Sequence, residues 1–477
     1  MDNQDTIWPF VERKADPMIM LSDAVWEVPE LNYGEFTSCA LHKDALAAQG
    51  FRITTDIAGL PTAVMGEAGE GGPVIAFLGE YDALPGLSQE AGKTSHTPVP
   101  GDGNGHGCGH NLLGSAALLA ATAVKDWLAE TGTPGRVRYY GCPAEEGGAG
   151  KGFMVRAGVF KDVDIAITWH PAHFAGVFPA ASLANQRIDF TFTGRAAHAA
   201  AAPHLGRSAL DAAELMNIGV NYMREHMLSS SRVHYAYQDA GGVAPNVVQA
   251  RTVIRYTVRA TELDEMLKLG VRVRTIAEGA ALMTETSVTS QVISGMANLL
   301  GNTTLEMAMQ ANFERLGPPQ FDEADRAFAR QIQATLTPDE IASPYKAANL
   351  PVDMDKPLCD AILAYRADNF RSMMGSTDVG DVSWVVPTVQ AFGATCAIGT
   401  PFHSWQLTAQ GKAPLAHKGM VHVAKVMAGT AIDVLKDETL LARAKREHAD
   451  KIAACPYISP IPDDVDPPLV PMPGRAA

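Results

Sequence analysis

The chain has 477 residues, of which 47% are hydrophobic and 19% charged, and its formal net charge is −15. This length exceeds the size at which one hydrophobic core usually stops growing, so we expect at least two domains. The acidic balance argues against nucleic acid or an anionic membrane surface as a partner.

The N-terminal stretch and the cysteines favour a cytoplasmic location. The first residues are charged and lack the apolar core of a signal peptide. The longest apolar run, 112–124, is too short to span a bilayer. The six cysteines are scattered without a CxxC pair, so we expect reduced thiols rather than disulfides.

The first part of the chain alternates between helical and strand-like patterns. Residues 4–28 and 36–49 have helical periodicity, and the run "VIAFLG" is continuously apolar, as in a strand that is covered on both faces. Further strands are expected at 51–57, 61–67, 72–84, 136–146 and 163–171, and further helices at 112–130 and 150–160. This alternation predicts an α/β domain with a mostly parallel sheet.

The pattern changes near residue 186. A strand at 186–200, a helix at 208–227, strands at 232–241 and 246–260, a helix at 262–282 and a strand at 286–295 give the order β-α-β-β-α-β. This order is typical of a ferredoxin-like α+β module. We therefore predict a discontinuous catalytic domain, 1–186 and 298–477 with a Pro-rich tail, and an inserted satellite domain, 187–297, that mediates dimerisation.

A glycine-rich loop, "GDGNGHGCGH", carries Cys108 and His110 two residues apart before a helix. The loop lacks the GK[ST] ending of a phosphate-binding P-loop, and a single Cys-x-His pair is only a weak indication of a metal site. Glycines let the backbone approach closely, so the two side chains can point into one pocket.

Three more clusters of possible ligands follow predicted strands. Glu145 and Glu146 end one strand, His170 ends the next with His173 just beyond it, and His403 follows a strand late in the chain. Taken singly, each has an ordinary alternative, a solvated acidic turn or a capped core histidine. The carboxyl ends of strands are nevertheless where α/β folds build their sites.

Cysteine, histidine and glutamate together suit zinc, manganese or cobalt better than magnesium or calcium. Five candidates exceed what one tetrahedral metal needs, so two metals that share a bridging ligand fit better. The five candidates are Cys108, His110, Glu146, His170 and His403.

Several motifs resemble those of the M20 family of metallopeptidases and amidohydrolases, and within it the hydrolases of p-aminobenzoyl-glutamate. They are "GEYDALPGLSQEAG", "GHGCGHNLLG", "PAEEGGAGKG", "TFTGRAAHAAAAPHLGRSALDA", "GGVAPNVVQA", "GSTDVGDVSW" and "GTPFHSWQ". They follow the family's order from about residue 79 to 406.

The resemblance implies a role for each metal-ligand candidate. Cys108 would bridge the two metals, His110 and Glu146 would be further ligands, His170 would complete one metal and His403 the other. The "GEYD" segment holds no histidine where peptidase-type relatives have a ligand, and Cys108 would replace their bridging carboxylate. The resemblance thus implies two divalent ions, Mn²⁺ or Zn²⁺.

The same resemblance assigns residues to catalysis and substrate binding. Glu145 would be the general base and acid. His198 of the satellite domain would stabilise the reacting carbonyl, in its own chain or in the partner chain. Asn246 would lie near the substrate, and Arg259 is a candidate anchor for a substrate carboxylate. Asn111 departs from the family, because many relatives have Asp at this position.

The implied function is a metal-dependent amidohydrolase in which a metal-bound hydroxide attacks the amide of an N-acyl amino acid. An aroyl-glutamate such as p-aminobenzoyl-glutamate is the leading candidate substrate. A dipeptidase, an aminoacylase or an aromatic deaminase could use the same site. A non-catalytic partner subunit is a further alternative, although it would not need to retain Glu145. We expect a homodimer or an assembly with a related second subunit.

Overall fold

The computed structural model describes residues 6–179, 181–366 and 375–471. In chain order the first elements are α1 (Trp8–Arg13), α2 (Ala15–Trp26), α3 (Phe36–Ala48), β1 (Arg52–Thr55), β2 (Val64–Glu70), β3 (Val74–Glu80), α4 (His110–Thr131), β4 (Gly135–Cys142), α5 (Gly150–Arg156) and β5 (Ile165–Ala172). Next come β6 (Ala184–Thr193), α6 (Ala209–Met223), β7 (Arg232–Asp239), β8 (Arg251–Ala260), α7 (Leu263–Thr284) and β9 (Ser287–Met296). The last are α8 (Thr303–Leu316), α9 (Glu323–Gln333), α10 (Pro338–Ala347), α11 (Val379–Ser383), β10 (Thr388–Ala394), α12 (Trp405–Gln410), α13 (Pro414–Lys436) and α14 (Glu438–Ala454).

The larger sheet has six strands in the order β1-β2-β4-β3-β5-β10. Strands β4, β3, β5 and β10 are parallel, whereas β1 and β2 form an antiparallel edge. Every residue of β3 is buried, as expected for a central strand covered by helices on both faces. The predicted α/β class is confirmed, with an antiparallel edge in addition.

Helices α4 and α13 pack against each other on this sheet. Within the described residues, α4 is the one helix long and apolar enough to cross a membrane, and 83% of its most apolar window is buried inside the fold. Its apolar character is therefore accounted for by packing in the core. Gly419 lets α13 approach β10, since a Cβ there would lie 2.0 Å from the carbonyl oxygen of Ala394.

The smaller sheet has four antiparallel strands in the order β7-β8-β6-β9, with α6 and α7 on one face. The elements follow the predicted order β-α-β-β-α-β. The opposite, helix-free face carries half-buried polar side chains at alternate positions of β6 and β8: Arg187, Asp189, Arg255, Thr257 and Arg259. Strand β6 begins slightly before residue 187, and the domain boundaries remain a prediction.

The C-terminal segment lacks helix and strand after α14, but it packs against the rest of the fold. Ile461 is buried, and the side chain of Arg156 donates hydrogen bonds to the carbonyls of Pro462 and Val465, both at 2.8 Å. The expectation of a poorly ordered tail is therefore wrong as far as residue 471, because these contacts fix the segment against α5.

Candidate metal centre and active site

The parallel strands bring the candidate ligands to one edge of the larger sheet. Glu145 and Glu146 follow β4, His170 lies near the end of β5, and His403 follows β10. The carboxyl ends of neighbouring parallel strands lie side by side, so residues far apart in sequence meet there. The edge is completed by the glycine-rich loop, which enters α4 at His110.

Gly109 allows this loop to lie close to β5. Its φ of 80° is left-handed, and a Cβ at this position would lie 3.0 Å from Cγ of Pro171. The close approach brings Sγ of Cys108 to 3.5 Å from Nε2 of His170. The glycines therefore serve to bring the cysteine to the strand end.

All five predicted metal ligands come together. Cys108, His110 and His170 offer ligand atoms that lie within 4.8 Å of one another, and so do Cys108, Glu146 and His403. Cys108 belongs to both groups, which is the arrangement that a bridging ligand requires. Nε2 of His403 is 3.4 Å from Oε1 of Glu146, which is in turn 4.0 Å from Nε2 of His110.

The chemistry of this cluster fits cations. Within the described residues, the buried Nε2 of His110 and the buried Oε1 of Glu146 have no hydrogen-bond partner. Buried polar atoms are normally paired, because leaving them unpaired costs free energy. A thiol, imidazoles and a carboxylate are the donors that zinc and manganese accept. We refer to these five residues as the Cys108 cluster.

Two hydrogen bonds orient the histidines of the Cys108 cluster. Nδ1 of His110 is 2.8 Å from Oδ1 of Asp82, and Nδ1 of His170 is 2.8 Å from the carbonyl oxygen of Pro171. Each contact leaves Nε2 directed at the cluster, as is usual for metal-binding histidines. Asp82 also accepts a hydrogen bond from the backbone N–H of Glu146. The sequence reasoning missed Asp82, whose available signal was a carboxylate just after an apolar strand.

A buried charge network lies next to the cluster. Nζ of Lys151 is 2.5 Å from Oε1 of Glu80 and 2.6 Å from Oδ1 of Asp378. Burial opposes ionisation of Glu80, but the charge of Lys151 outweighs it and lowers the pKa of this carboxyl. Oε2 of Glu80 is 3.5 Å from Nε2 of His110. The sequence reasoning also missed these residues, since only the fold brings them together.

Glu145 has the environment of a proton acceptor. Its carboxyl group lies within 4.8 Å of ligand atoms of Glu80 and His110. Burial raises the pKa of Glu145 well above its ordinary value, and the negative charges of Glu80 and Glu146 raise it further. A carboxyl group with a raised pKa beside a substrate site can take and return protons near neutral pH.

His198 and Asn246 lie together on exposed loops of the satellite module. Nδ1 of His198 accepts hydrogen bonds from the N–H groups of Ala200 and Ala201, and the carbonyl of Asn246 accepts one from Ala199. Among the contacts of the described residues, none joins His198 or Asn246 to the Cys108 cluster. The single chain thus does not bring these two predicted residues to the centre.

Arg259 lies at the end of β8 on the helix-free face of the smaller sheet. Its Nη1 is 3.4 Å from Oγ of Ser376, in the part of the chain that returns to the larger sheet. The guanidinium therefore faces the cleft between the two sheets.

An aromatic cavity of about 660 Å³ opens beside His170. Its walls include the rings of Phe178, Phe392 and Phe402, and the ring of Phe402 also contacts His170 at a centroid distance of 5.8 Å. His173 lines the cavity and is held by a 2.8 Å contact between its Nε2 and the carbonyl of Thr400. Apolar, aromatic cavities of this size accommodate aryl groups.

Comparisons with known proteins agree with this geometry. Residues 76–406 match the model of peptidase family M20/M25/M40. One of the p-aminobenzoyl-glutamate hydrolase subunits of Escherichia coli K12 is 47% identical over 94% of this chain and 95% of its own length. The Xaa-Arg dipeptidase of Mus musculus is 29% identical, covering 93% and 91%.

The solved structure of the Bacillus subtilis YXEP protein, a dinuclear metal binding peptidase from the M20 family, superposes with a TM-score of 0.57 at 18% identity, covering 90% of this chain and 99% of that one. At this identity the likeness concerns the fold. The family model spans most of the chain, and the Escherichia coli relative is similar along nearly its whole length. This chain therefore belongs to the M20/M25/M40 peptidase family, whose members are hydrolases that act on amide bonds.

Proposed function

We propose that this hydrolase cleaves aroyl-glutamates such as p-aminobenzoyl-glutamate at a centre of two divalent cations, Mn²⁺ or Zn²⁺. The observation that carries the proposal is the convergence of five ligand side chains on Cys108, which belongs to both ligand groups. The similarity to a p-aminobenzoyl-glutamate hydrolase of Escherichia coli supports the choice of substrate.

The proposed roles divide the reaction among the residues of the edge. When bound, the two cations polarise the amide carbonyl and lower the pKa of a water molecule. Glu145 accepts the proton of the attacking water and delivers it to the leaving nitrogen. Asp82 holds His110 in the orientation that presents Nε2.

The substrate would lie between the aromatic cavity and the satellite module. The cavity beside His170 takes the aryl group, and Arg259 binds a carboxylate of the glutamate. His198 stabilises the developing oxyanion through Nε2, because its Nδ1 already accepts two backbone hydrogen bonds. Asn246, on the neighbouring loop, contacts the substrate.

The proposed assembly is a two-fold dimer through the satellite module. Strand β7 forms the edge of its sheet, and exposed large side chains stand on or near it: Tyr222, Leu228, Tyr235 and Val243. An unpaired edge beside exposed apolar groups favours pairing with a second chain. The partner is a second copy or, as the word subunit in the relative's name suggests, a related chain.

The proposed location is the cytoplasm. All six cysteines are free, as in proteins of a reducing compartment.

The experiment that tests the function compares substrates on the metal-loaded protein. N-(4-aminobenzoyl)-L-glutamate, N-benzoyl-L-alanine and Xaa-Arg dipeptides are incubated separately, and the released products are quantified by chromatography. We expect kcat/KM for the aroyl-glutamate to exceed the others by roughly 10- to 100-fold, the effect of one lost charge-assisted interaction. Faster cleavage of the dipeptides would favour a dipeptidase. Absence of cleavage of every compound would favour a non-catalytic partner chain.

A further inference from the structure

Arg187 on β6 lies against the turn that carries the two catalytic-edge glutamates. A Cβ built on Gly147, the residue after Glu146, would lie 3.0 Å from Nη1 of Arg187. The guanidinium thus approaches the backbone of this turn from the helix-free face of the smaller sheet. Neither the motifs nor the predicted site includes this arginine.

Arg187 is surrounded by positive charge. Burial lowers its pKa, and the neighbouring guanidinium groups of Arg259 and Arg255 lower it further. Arg255 is neutralised by Asp189 through two hydrogen bonds of 2.6 and 2.9 Å. Arg187, by contrast, forms no ion pair with any residue in the described parts of the chain. A half-buried, unpaired guanidinium beside another cation is costly unless an anion joins it.

The register of the strands places Arg187 and Arg259 close together. Thr257 lies opposite Arg187 on β8, so Arg259 is its diagonal neighbour on the same face. Diagonal neighbours on antiparallel strands have Cβ atoms about 7–8 Å apart. Two arginine side chains starting at this spacing can converge on the two carboxylates of one small molecule, each as a planar fork of donors.

We propose that Arg187 and Arg259 form a clamp for an amino-acid leaving group with two carboxylates. Arg259 holds one carboxylate and Arg187 the other, which makes Arg187 the residue that selects glutamate over its neutral analogue glutamine. This inference rests on the proposed function for the acyl part of the substrate, but the clamp itself concerns only the amino-acid part.

The clamp is tested first by binding, which needs no turnover. Calorimetric titration of the full-length, metal-loaded protein with L-glutamate and with L-glutamine gives both dissociation constants. We expect the wild type to prefer glutamate. Arg187→Gln should weaken glutamate binding by roughly 10- to 100-fold, the range of one charge-assisted hydrogen bond, and leave glutamine binding unchanged. Arg187→Lys should retain part of the preference, since it keeps the charge.

Arg255→Gln is the matched control. It removes one positive charge from the same face, but from a guanidinium that Asp189 already pairs. The control should keep the preference for glutamate. The clamp is overturned if the wild type shows no preference, if Arg187→Gln weakens both ligands equally or neither, or if Arg255→Gln produces the same loss.

Kinetics then separate the clamp from the proposed function. With N-(4-aminobenzoyl)-L-glutamate and the corresponding glutamine amide, Arg187→Gln should reduce kcat/KM only for the glutamate compound. If neither amide is hydrolysed but glutamate binding depends on Arg187, the proposed function fails and the clamp stands. If both are hydrolysed and Arg187→Gln affects them equally, the clamp fails and the proposed function stands.

Discussion

Glu145 and Glu146 are adjacent in sequence but have opposite surroundings. The hydrogen bond to His403 and the charge of His110 outweigh burial and lower the pKa of Glu146. Burial and the charges of Glu80 and Glu146 raise the pKa of Glu145. Two carboxyl groups whose pKa values are pushed apart are typical of a division between acid–base work and charge stabilisation.

Glu145→Gln should therefore abolish turnover and leave metal binding nearly intact. The amide cannot carry a proton, whereas all five residues of the Cys108 cluster remain. Loss of a general acid–base group typically costs about 10²–10⁴-fold in rate. The matched variant Glu146→Gln should lose both metal and turnover. Rate and metal content measured on the same preparations check this, and near wild-type turnover in Glu145→Gln would show that another group is the base.

At the residue scale, the sequence identified the cluster more completely than its supports. Cys108, His110 and the other candidate ligands were recognisable because each ends a strand or a loop and matches a family motif. Asp82 and Lys151 were missed because their partners come from distant segments, for example Asp378, and only the register of the folded chain brings them together. Arg187 was missed for the same reason, since nothing local marks it.

At the scale of elements, helix α13 depends on a close approach to the sheet. Gly419 faces the carbonyl of Ala394 at the end of β10, with no room for a methyl group. Gly279 in α7 is also within a helix, but a Cβ there would meet nothing within 4 Å. These two glycines make a matched pair.

Gly419→Ala should lower the melting temperature, because the added methyl group forces the helix away from the backbone of β10 at a cost of about 1–3 kcal/mol. Gly279→Ala should raise it slightly, since alanine favours a helix by about 1 kcal/mol over glycine. Thermal unfolding followed by circular dichroism at 222 nm provides the comparison. Shifts in the same direction for both variants would contradict the packing described for α13.

The strands and helices of both sheets follow the sequence patterns closely, because long apolar runs and regular alternation are local signals. The antiparallel edge of the larger sheet was not predicted. Strands β1 and β2 are short and their pairing is decided by contacts with β4, which lies far along the chain. The packing of the C-terminal segment was missed for a related reason, since its proline content indicates only the absence of regular structure.

For the whole molecule, buried neutral histidines make stability depend on pH. Burial lowers the pKa of His42 to about 3 and that of His422 to about 4. In the unfolded chain both titrate near 6.5. As the pH falls below about 6.5, the unfolded chain takes up protons that the folded chain does not, so the stability that is complete above this pH is lost towards pH 4.

His422→Gln should reduce this loss. Glutamine can still donate a hydrogen bond to the carbonyl of Gly317, which Nε2 of His422 contacts at 2.7 Å, but it does not titrate. The wild type should lose about 3 kcal/mol more than the variant between pH 7 and pH 4, given 1.36 kcal/mol per pKa unit. Melting temperatures across this range measure the difference, and parallel curves for the two proteins would refute the assignment.

The proposed dimer allows His198 to act on the neighbouring chain. If it does, mixing Glu145→Gln with His198→Ala under conditions of chain exchange creates dimers in which one composite site is intact. Part of the activity should return. An unchanged, inactive mixture, with exchange confirmed by mass spectrometry of differently labelled chains, would place His198 in its own chain's site or outside catalysis. A monomer in solution would contradict the assembly itself.

The most direct test of the central claim, a two-metal amidohydrolase centred on Cys108, is a metal titration of activity. Chelated protein is titrated with Mn²⁺ or Zn²⁺ while the release of 4-aminobenzoate from N-(4-aminobenzoyl)-L-glutamate is recorded. We predict an inactive metal-free protein whose activity saturates at two ions per chain, with no recovery in Cys108→Ala at the same ratio. Full activity of the chelated protein, or saturation at a single ion per chain, would contradict this account.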